Sequence, residues 1–417
     1  MSSLLSYPSL VEAPFIIVEI GGYTFGNYQN DNGQLLGSKI NYPNFMSKIN
    51  IVKINGQVNT YNIRMIYQIA KGDDPNMLDA IFSVNKDKYG WQKIKISYGD
   101  WSCPSFIYKE EEAIISKINS KVDFSNSRIE YELSCTSTAL PLTSNSYNFP
   151  ATMAKPSEVL INLVCNKAYG MQDIFTGMES RAKIVSSGVI ASDDREVRIE
   201  AKYGVSLLSY MNFLVDCMSS TTDSEDSIIK NSKYYLTLED DIKGNMGGAY
   251  FKVTKVDTKN MARNNQDSAD TYTVDIGYPG DNFVTSFSIN NNELWSIYYN
   301  YSKNLPQTNY VYRIDNDGKL VAEYSPAIST SRDLKYTTES SKTWWTSMTE
   351  FPITATLTIK GLMRPSMLMS KVRINSYFYG IKHISSGLYI ITRQEDSVDG
   401  NGYKTTLSLT RIGADNT

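Results

Sequence analysis

Between Pro352 and Arg411 the chain alternates apolar and polar residues with a period of two: Ile353, Ala355, Leu357 and Ile359 are set against Thr354, Thr356, Thr358 and Lys360. Successive side chains of a strand point to opposite faces, so this pattern predicts a half-buried strand. Gly361 and Pro365 end it. The segments Lys371 to Ser376, Tyr377 to His383, Leu388 to Arg393 and Tyr403 to Arg411 follow, rich in β-branched and aromatic residues and separated by Ser385-Ser386-Gly387 and Asp399-Gly400-Asn401-Gly402. The stretch therefore reads as a small closed β unit of about five short strands.

The same unit recurs earlier in the chain. Sliding the final stretch back by 276 positions aligns Lys95 to Cys135 without a gap: Lys95 and Ile96 fall on Lys371 and Val372, Ile114 and Ile115 on Ile390 and Ile391, Val122 and Asp123 on Val398 and Asp399, and Leu133 on Leu409. The loop from Asp123 to Ser127 falls on Asp399 to Tyr403, and Asn62 to Gly72 resembles Ile353 to Gly361 if the connection that follows is allowed to be longer. One register across three strands and a turn indicates an internal duplication.

In the first copy, strands are expected over Phe15 to Ile20, Ile49 to Ile54 and Val58 to Ile69, the last two joined by the turn Asn55-Gly56. Asp74-Pro75 supplies a helix start, with Met77, Leu78, Ile81 and Phe82 as its apolar stripe. Lys93 to Tyr98, Ser105 to Lys109, Ala113 to Asn119 and Arg128 to Thr136 complete the strand set. Leu142 to Pro156, rich in Ser, Thr, Asn and Pro, reads as an interdomain connection. Beyond it the period lengthens to that of a helix after Pro156 and again after Ser206, and strands are expected over Glu196 to Lys202, Lys233 to Leu238, Tyr250 to Val256 and Thr271 to Ile276. Tyr310 to Ile314 and Lys319 to Tyr324, separated by Asp315-Asn316-Asp317-Gly318, form the clearest hairpin, and Ser329 to Thr343 is a polar connector. The expected fold is thus mainly β with an α+β middle: residues 1–149 a first closed β domain, 150–285 an α+β middle domain, 286–345 a hairpin-bearing connecting segment and 346–417 a second closed β domain.

Charge and composition narrow the functional classes. The chain of 417 residues has a net charge of -3, and its longest block of like charge is Glu110-Glu111-Glu112, so it lacks the basic footprint of a nucleic-acid binder. Thirty tyrosines suit sheets and contact surfaces. The start of the chain has no basic segment followed by an apolar run, and no apolar run approaches a bilayer's span, so no membrane anchor is expected and assembly in a cytoplasm is. Cys103, Cys135, Cys165 and Cys217 are too dispersed for a CxxC pair and read as buried thiols.

Candidate chemistry is sparse. Nucleophilic catalysis through histidine could use His383 alone, which sits in a strand-like segment and reads as a packed or surface residue. One histidine and four scattered cysteines do not make the usual zinc sets. Gly244-Asn245-Met246-Gly247-Gly248 lacks the lysine and the strand-to-helix setting of a P-loop. Asp193-Asp194 and Glu239-Asp240-Asp241 could form a carboxylate pair of the kind glycoside hydrolases use, or hold calcium, but both occur in expected loops and no EF-hand pattern surrounds them. No catalytic residue, cofactor or metal site is expected.

Pro352 to Gly361, Gly387-Leu388-Tyr389-Ile390-Ile391 and Thr405 to Arg411 resemble the baseplate hub proteins of phage tails and phage-like contractile particles, a family related to tail-tube and late-control proteins. Ser206 to Cys217 followed by Tyr234 to Leu238 resembles that family's helix-then-strand element. Two departures stand out: Arg364-Pro365-Ser366-Met367 has the proline without a glycine, and Gln394 stands where many members carry a histidine. The resemblance implies that residues 1–149 and 346–417 are two tube-like β-barrel domains related by internal duplication, in a structural protein of the virion tail baseplate and not an enzyme. In this reading a homotrimer adapts a sixfold tail tube to a threefold central spike, its channel passing tape measure and DNA without sequence-specific binding. Its implied partners are the tail tube protein, the central spike or tip protein, the tape measure protein and the baseplate wedge proteins. A tail-fibre or receptor-binding β protein and a polysaccharide-degrading tail enzyme are the alternatives.

Overall fold

The computed structural model describes residues 13–27, 41–42, 44–83, 90–100, 108–165, 196–218 and 367–414, together with the shorter stretches 2–3, 34–35, 38–39, 184–186, 232–239, 250–257, 271–277, 283–291, 310–314, 320–324 and 353–361. Its principal elements are β1 (Pro14–Ile20), β2 (Tyr23–Gly26), β3 (Met46–Ile54), β4 (Thr60–Gln68), α1 (Met77–Ser83), β5 (Lys93–Asp100), β6 (Tyr108–Asp123) and β7 (Arg128–Ser137), then α2 (Pro156–Cys165), α3 (Leu207–Cys217), β8 (Ser232–Glu239) and β9 (Tyr250–Asp257). The last group is β10 (Tyr272–Ile276), β11 (Val284–Asn291), β12 (Ile353–Lys360), β13 (Lys371–Phe378), β14 (Gly387–Asp399) and β15 (Gly402–Ala414). The chain is mainly β.

The two strand groups share one order. In the first, hydrogen-bonded neighbours run β3-β4-β7-β6-β5-β1, with β2 beyond β1. In the second they run β11-β12-β15-β14-β13-β10. Two of the irregularities also coincide. Ser116 of β6 is left unpaired between the Lys117–Ser134 and Ile115–Cys135 pairs, and Thr392 of β14 between the Arg393–Ser408 and Ile391–Leu409 pairs. Both bulged hydroxyls donate to the opposing strand, Ser116 Oγ to the Ser134 carbonyl at 2.8 Å and Thr392 Oγ1 to that of Ser408 at 3.3 Å. A second bulge falls at Ser47 of β3 and at Thr285 of β11. Because an extra residue bends a strand and pins its register, two matched bulges are structural evidence of the duplication that does not depend on side-chain identity. The units differ at one edge: β1 lies antiparallel to β5, whereas β10 lies parallel to β13.

The pairing refines the sequence alignment. Four residues, Phe124 to Ser127, join β6 to β7, but two, Gly400 and Asn401, join β14 to β15. Val122 still corresponds to Val398, each one pair before the end of its hairpin, but Leu133 corresponds to Leu407 and not Leu409. Lys93, opposite Ile114, corresponds to Lys371, opposite Ile390, in place of Lys95. A further correction concerns β6, expected as two strands and found as one. Its acidic run lies inside the ladder because Glu111 points inward to a buried partner, while Glu110 and Glu112 point away. The stretch Leu142 to Pro156 also holds strands, Ser146–Phe149 and Thr152–Ala154, which pair with Lys202–Ser206 and Val197–Ile199. The expected single strand Glu196 to Lys202 is thus divided between two partners.

Each unit wraps an apolar core, and that of the first also takes in Val398 and Tyr403 of the second. Ile49, Ile63, Met65, Ile96, Tyr131 and Leu133, covered by Leu78 and Phe82 of α1, form the first. Leu357, Ile359, Val372, Ile374, Ile391 and Leu407 form the second, which β10 joins through Val274. Between them, α3 lays Leu207, Met211 and Leu214 on Tyr234, Leu236 and Leu238 of β8. Ser206 caps α3, its Oγ accepting from the Ser209 amide at 3.1 Å. The hairpin Tyr310–Ile314 with Leu320–Tyr324 forms, with Ile314 opposite Leu320. Asn260 to Asp270 and Ser329 to Thr343 lie outside the described residues.

Candidate assembly interface

The two units join through one strand pair. Residues Arg393 to Val398 of β14 run antiparallel to Ile54 to Ile49 of β3, so a single continuous sheet crosses from one unit to the other. This is possible because β13 pairs with β14 along Gly387 to Ile390, leaving the rest of that edge for β3. The amide of Asn55 donates to the carbonyl of bulged Thr392 at 3.0 Å and closes one end of the seam.

Charges are buried at this seam. The Lys53 ammonium of β3 lies 2.7 Å from Oε1 of Glu111, with both side chains almost fully buried. Tyr61 donates to the second carboxylate oxygen at 2.7 Å and Tyr98 to the first at 3.0 Å. Opposite Lys53 in the seam, Gln394 accepts from the Met367 amide at 2.9 Å and donates to Asp396 at 2.9 Å. Thr405 donates to the other Asp396 oxygen at 2.7 Å. Tyr98 and Tyr403 meet edge to face, 6.2 Å between centroids. Burial pushes both phenols well above the ordinary tyrosine range, Tyr98 further through Glu111 and Tyr403 through Asp396. Such a network is costly to mismatch, so it favours one pairing of the two units over others.

Beyond the seam, the tip after β13 is exposed and apolar: Phe378, Tyr379, Ile381 and Ile384 all face solvent. Here lies His383, edge-on to Phe378 at 5.2 Å, its Nδ1 2.8 Å from Ser385 Oγ. Of the candidate carboxylates, Glu239 ends β8, and Asp193, Asp194, Asp240 and Asp241 lie outside the described residues, as does Gly244 to Gly248. Among the described residues no group of three His, Cys, Asp or Glu comes together to hold a metal, and no helix is long and apolar enough to cross a membrane. Cys135 is buried, and Cys217 is half-buried. The seam charges were invisible from sequence, since Lys53 and Glu111 become partners only through the fold. Gln394 alone carried a signal, as a departure from the resembled family.

The architecture is that of phage tail proteins. A tail protein from Neisseria meningitidis MC58 superimposes with a TM-score of 0.52 at 9% identity, over 96% of this chain and 97% of that one. The 43 kDa tail protein of prophage MuSo2 from Shewanella oneidensis matches with a TM-score of 0.52 at 12% identity, over 97% of this chain and 100% of that one. No family model and no curated protein matches the chain.

Proposed function

We propose that this chain is a structural hub subunit of a tail baseplate, acting as a homotrimer between a sixfold tail tube and a threefold central spike. The observation that carries the reading is the presence, in one chain, of two units with the same strand order and the same two bulges, fused edge to edge. Three such chains present six nearly equivalent units around an axis while the assembly remains strictly threefold, which is what a component between the two symmetries requires. The shared fold of two phage tail proteins supports the placement in a tail.

In this reading tail tube and spike protein stack on opposite faces of the ring, the α+β middle meets wedge proteins outside it, and the lumen passes tape measure and DNA. The chain's lack of a basic run suits a wall that does not grip phosphate. Counting copies of the chain in isolated particles tests the proposal. Three per tail are expected at the tube's end; six or more, or a position on distal fibres, overturn it. No catalytic role is proposed. Turnover of peptidoglycan or capsular polysaccharide that disappears on Asp194→Asn or Asp240→Asn would reverse that reading.

A further inference from the structure

The seam inside the chain identifies which edges are built to pair and which still lack a strand. In β6, pairing with β5 stops at Ile114, just as β13 stops short on β14. Lys117 to Val122 are the repeat counterparts of Arg393 to Val398, the residues that receive β3. No strand among the described residues pairs with that edge of β6. Burial records the difference. Ile118 and Val122 sit on the core side of the sheet, opposite Leu133 and Ile129, yet are 39% and 47% exposed, whereas their counterparts Gln394 and Val398 are 0% and 1% exposed beneath β3.

The complementary edge is equally open. β11 corresponds to β3, since both are the outer strand beside their unit's β4 or β12 and share the bulge. β3 uses its outer edge on β14, while β11 has β12 as its neighbour and no other strand among the described residues. Ile289 of β11, the counterpart of Ile51 in the seam, is 41% exposed where Ile51 is 1%.

We infer that β11 of one copy pairs antiparallel with Lys117 to Val122 of β6 in a second copy, in the register that β3 and β14 adopt within the chain. This rests on the hub reading and specifies its subunit interface. Transferring the seam register sets Phe287 opposite Val122, Ser288 opposite Lys121, Ile289 opposite Ser120, Asn290 opposite Asn119 and Asn291 opposite Ile118. Ile118 and Val122 are covered, and the backbone groups of both edges that no strand among the described residues pairs are satisfied by strand addition. The contact is head to tail: each chain offers one β11 edge and one β6 edge. Seams within and between chains then alternate around the ring. Lys117 and Lys121 flank the open edge and discourage indiscriminate pairing before assembly.

Directly opposed residues of an antiparallel pair lie about 4.5–5.5 Å apart at Cα, within disulfide range. The test is a full-length Lys121→Cys/Ser288→Cys variant, oxidised both as purified protein and in isolated particles and run on non-reducing gels against the unsubstituted chain. Covalent dimers and trimers are expected from this pair and not from Lys121→Cys/Asn290→Cys, which is two residues out of register. Ile118→Lys and Val122→Lys alter residues already exposed in the free chain, and should weaken association at least tenfold while leaving the circular dichroism spectrum unchanged. The pairing is overturned if the in-register link is absent from both protein and particles, or if the shifted pair links as well. Three copies per particle without the link would leave the hub reading standing and remove this interface; six copies would remove both.

Discussion

Replacing Lys53 by methionine keeps most of the side chain's bulk and deletes its charge, leaving Glu111 buried with two phenol donors, Tyr61 and Tyr98. At the 2.7 Å separation of the ion pair an effective dielectric of about 20 gives an attraction of about 6 kcal/mol. Desolvation of two ions opposes this by several kcal/mol each, so the intact pair is close to neutral relative to an apolar replacement. Removing one partner is different, because the survivor keeps its desolvation cost, and a loss of about 3–5 kcal/mol is the usual result. The two phenols still stabilise the carboxylate, which places Lys53→Met near the low end, at about 3 kcal/mol. Glu111→Gln should cost a similar amount by stranding the ammonium. The double variant should recover most of the loss, since an amide can accept from one phenol and donate to the other. A chain of several units does not unfold in one step, so hydrogen exchange at the β3 and β14 amides is the appropriate assay. Lys53→Met should lower the local opening free energy by about 3 kcal/mol, with the double variant within about 1 kcal/mol of the parent. Single-variant losses that simply add in the double would show that Lys53 and Glu111 are not coupled, and the account of the seam would fall.

Three further outcomes are expected. A Cβ at Gly277 (φ +85) would run into the Tyr377 carbonyl oxygen, whereas one at Gly22 (φ +86) meets nothing, so Gly277→Ala should loosen the β10 amides by clearly more than the roughly 1 kcal/mol that φ strain alone costs at Gly22→Ala. The phenols of Tyr98 and Tyr403 are raised in the folded chain, so the stability they contribute is present below pH 10.0 and lost as pH rises above it. An ultraviolet titration should show two tyrosines ionising only as the seam opens, and Tyr98→Phe should remove one of them. Asp123 is held down at about 2 by Ser125 and Asn126, so its contribution to the β6–β7 turn is present above pH 3.8 and lost as pH falls through about 2. A carboxyl titration followed by NMR should give that midpoint, with Ser125→Ala raising it.

The duplication was legible for a physical reason. Relative to β6 and β14, which keep the constant offset, the flanking strands have each slipped by two residues: Lys93 takes the place of Lys95, and Leu407 that of Leu409. A slip of two returns every side chain to the same face, so the inward apolar pattern survives an ungapped comparison, whereas a slip of one would have inverted it. The helices after Pro156 and Ser206 were legible through periodicity and capping, which are local. The continuity of β6 was hidden because Glu110 to Glu112 interrupt the apolar alternation between the two expected strands, and only Lys53, distant in sequence, makes Glu111 an interior residue. The seam itself leaves almost no local trace. Whether an edge is occupied depends on where a neighbouring strand stops, and β13 stopping at its pair with Ile390 is a property of three-dimensional pairing.

The strand beyond β5 and the strand beyond β13 differ in direction, antiparallel for β1 and parallel for β10. A further strand follows each: β2 lies antiparallel to β1, and Ser2–Ser3 lies parallel to β10. Two reversals in the first unit and none in the second return both margins to one polarity of backbone relative to β5 and β13. In the proposed ring of six units, a protein that binds beside these margins would meet the same polarity at every site, and would tell odd positions from even ones only by the length of the outermost strand, four residues in β2 against two in Ser2–Ser3.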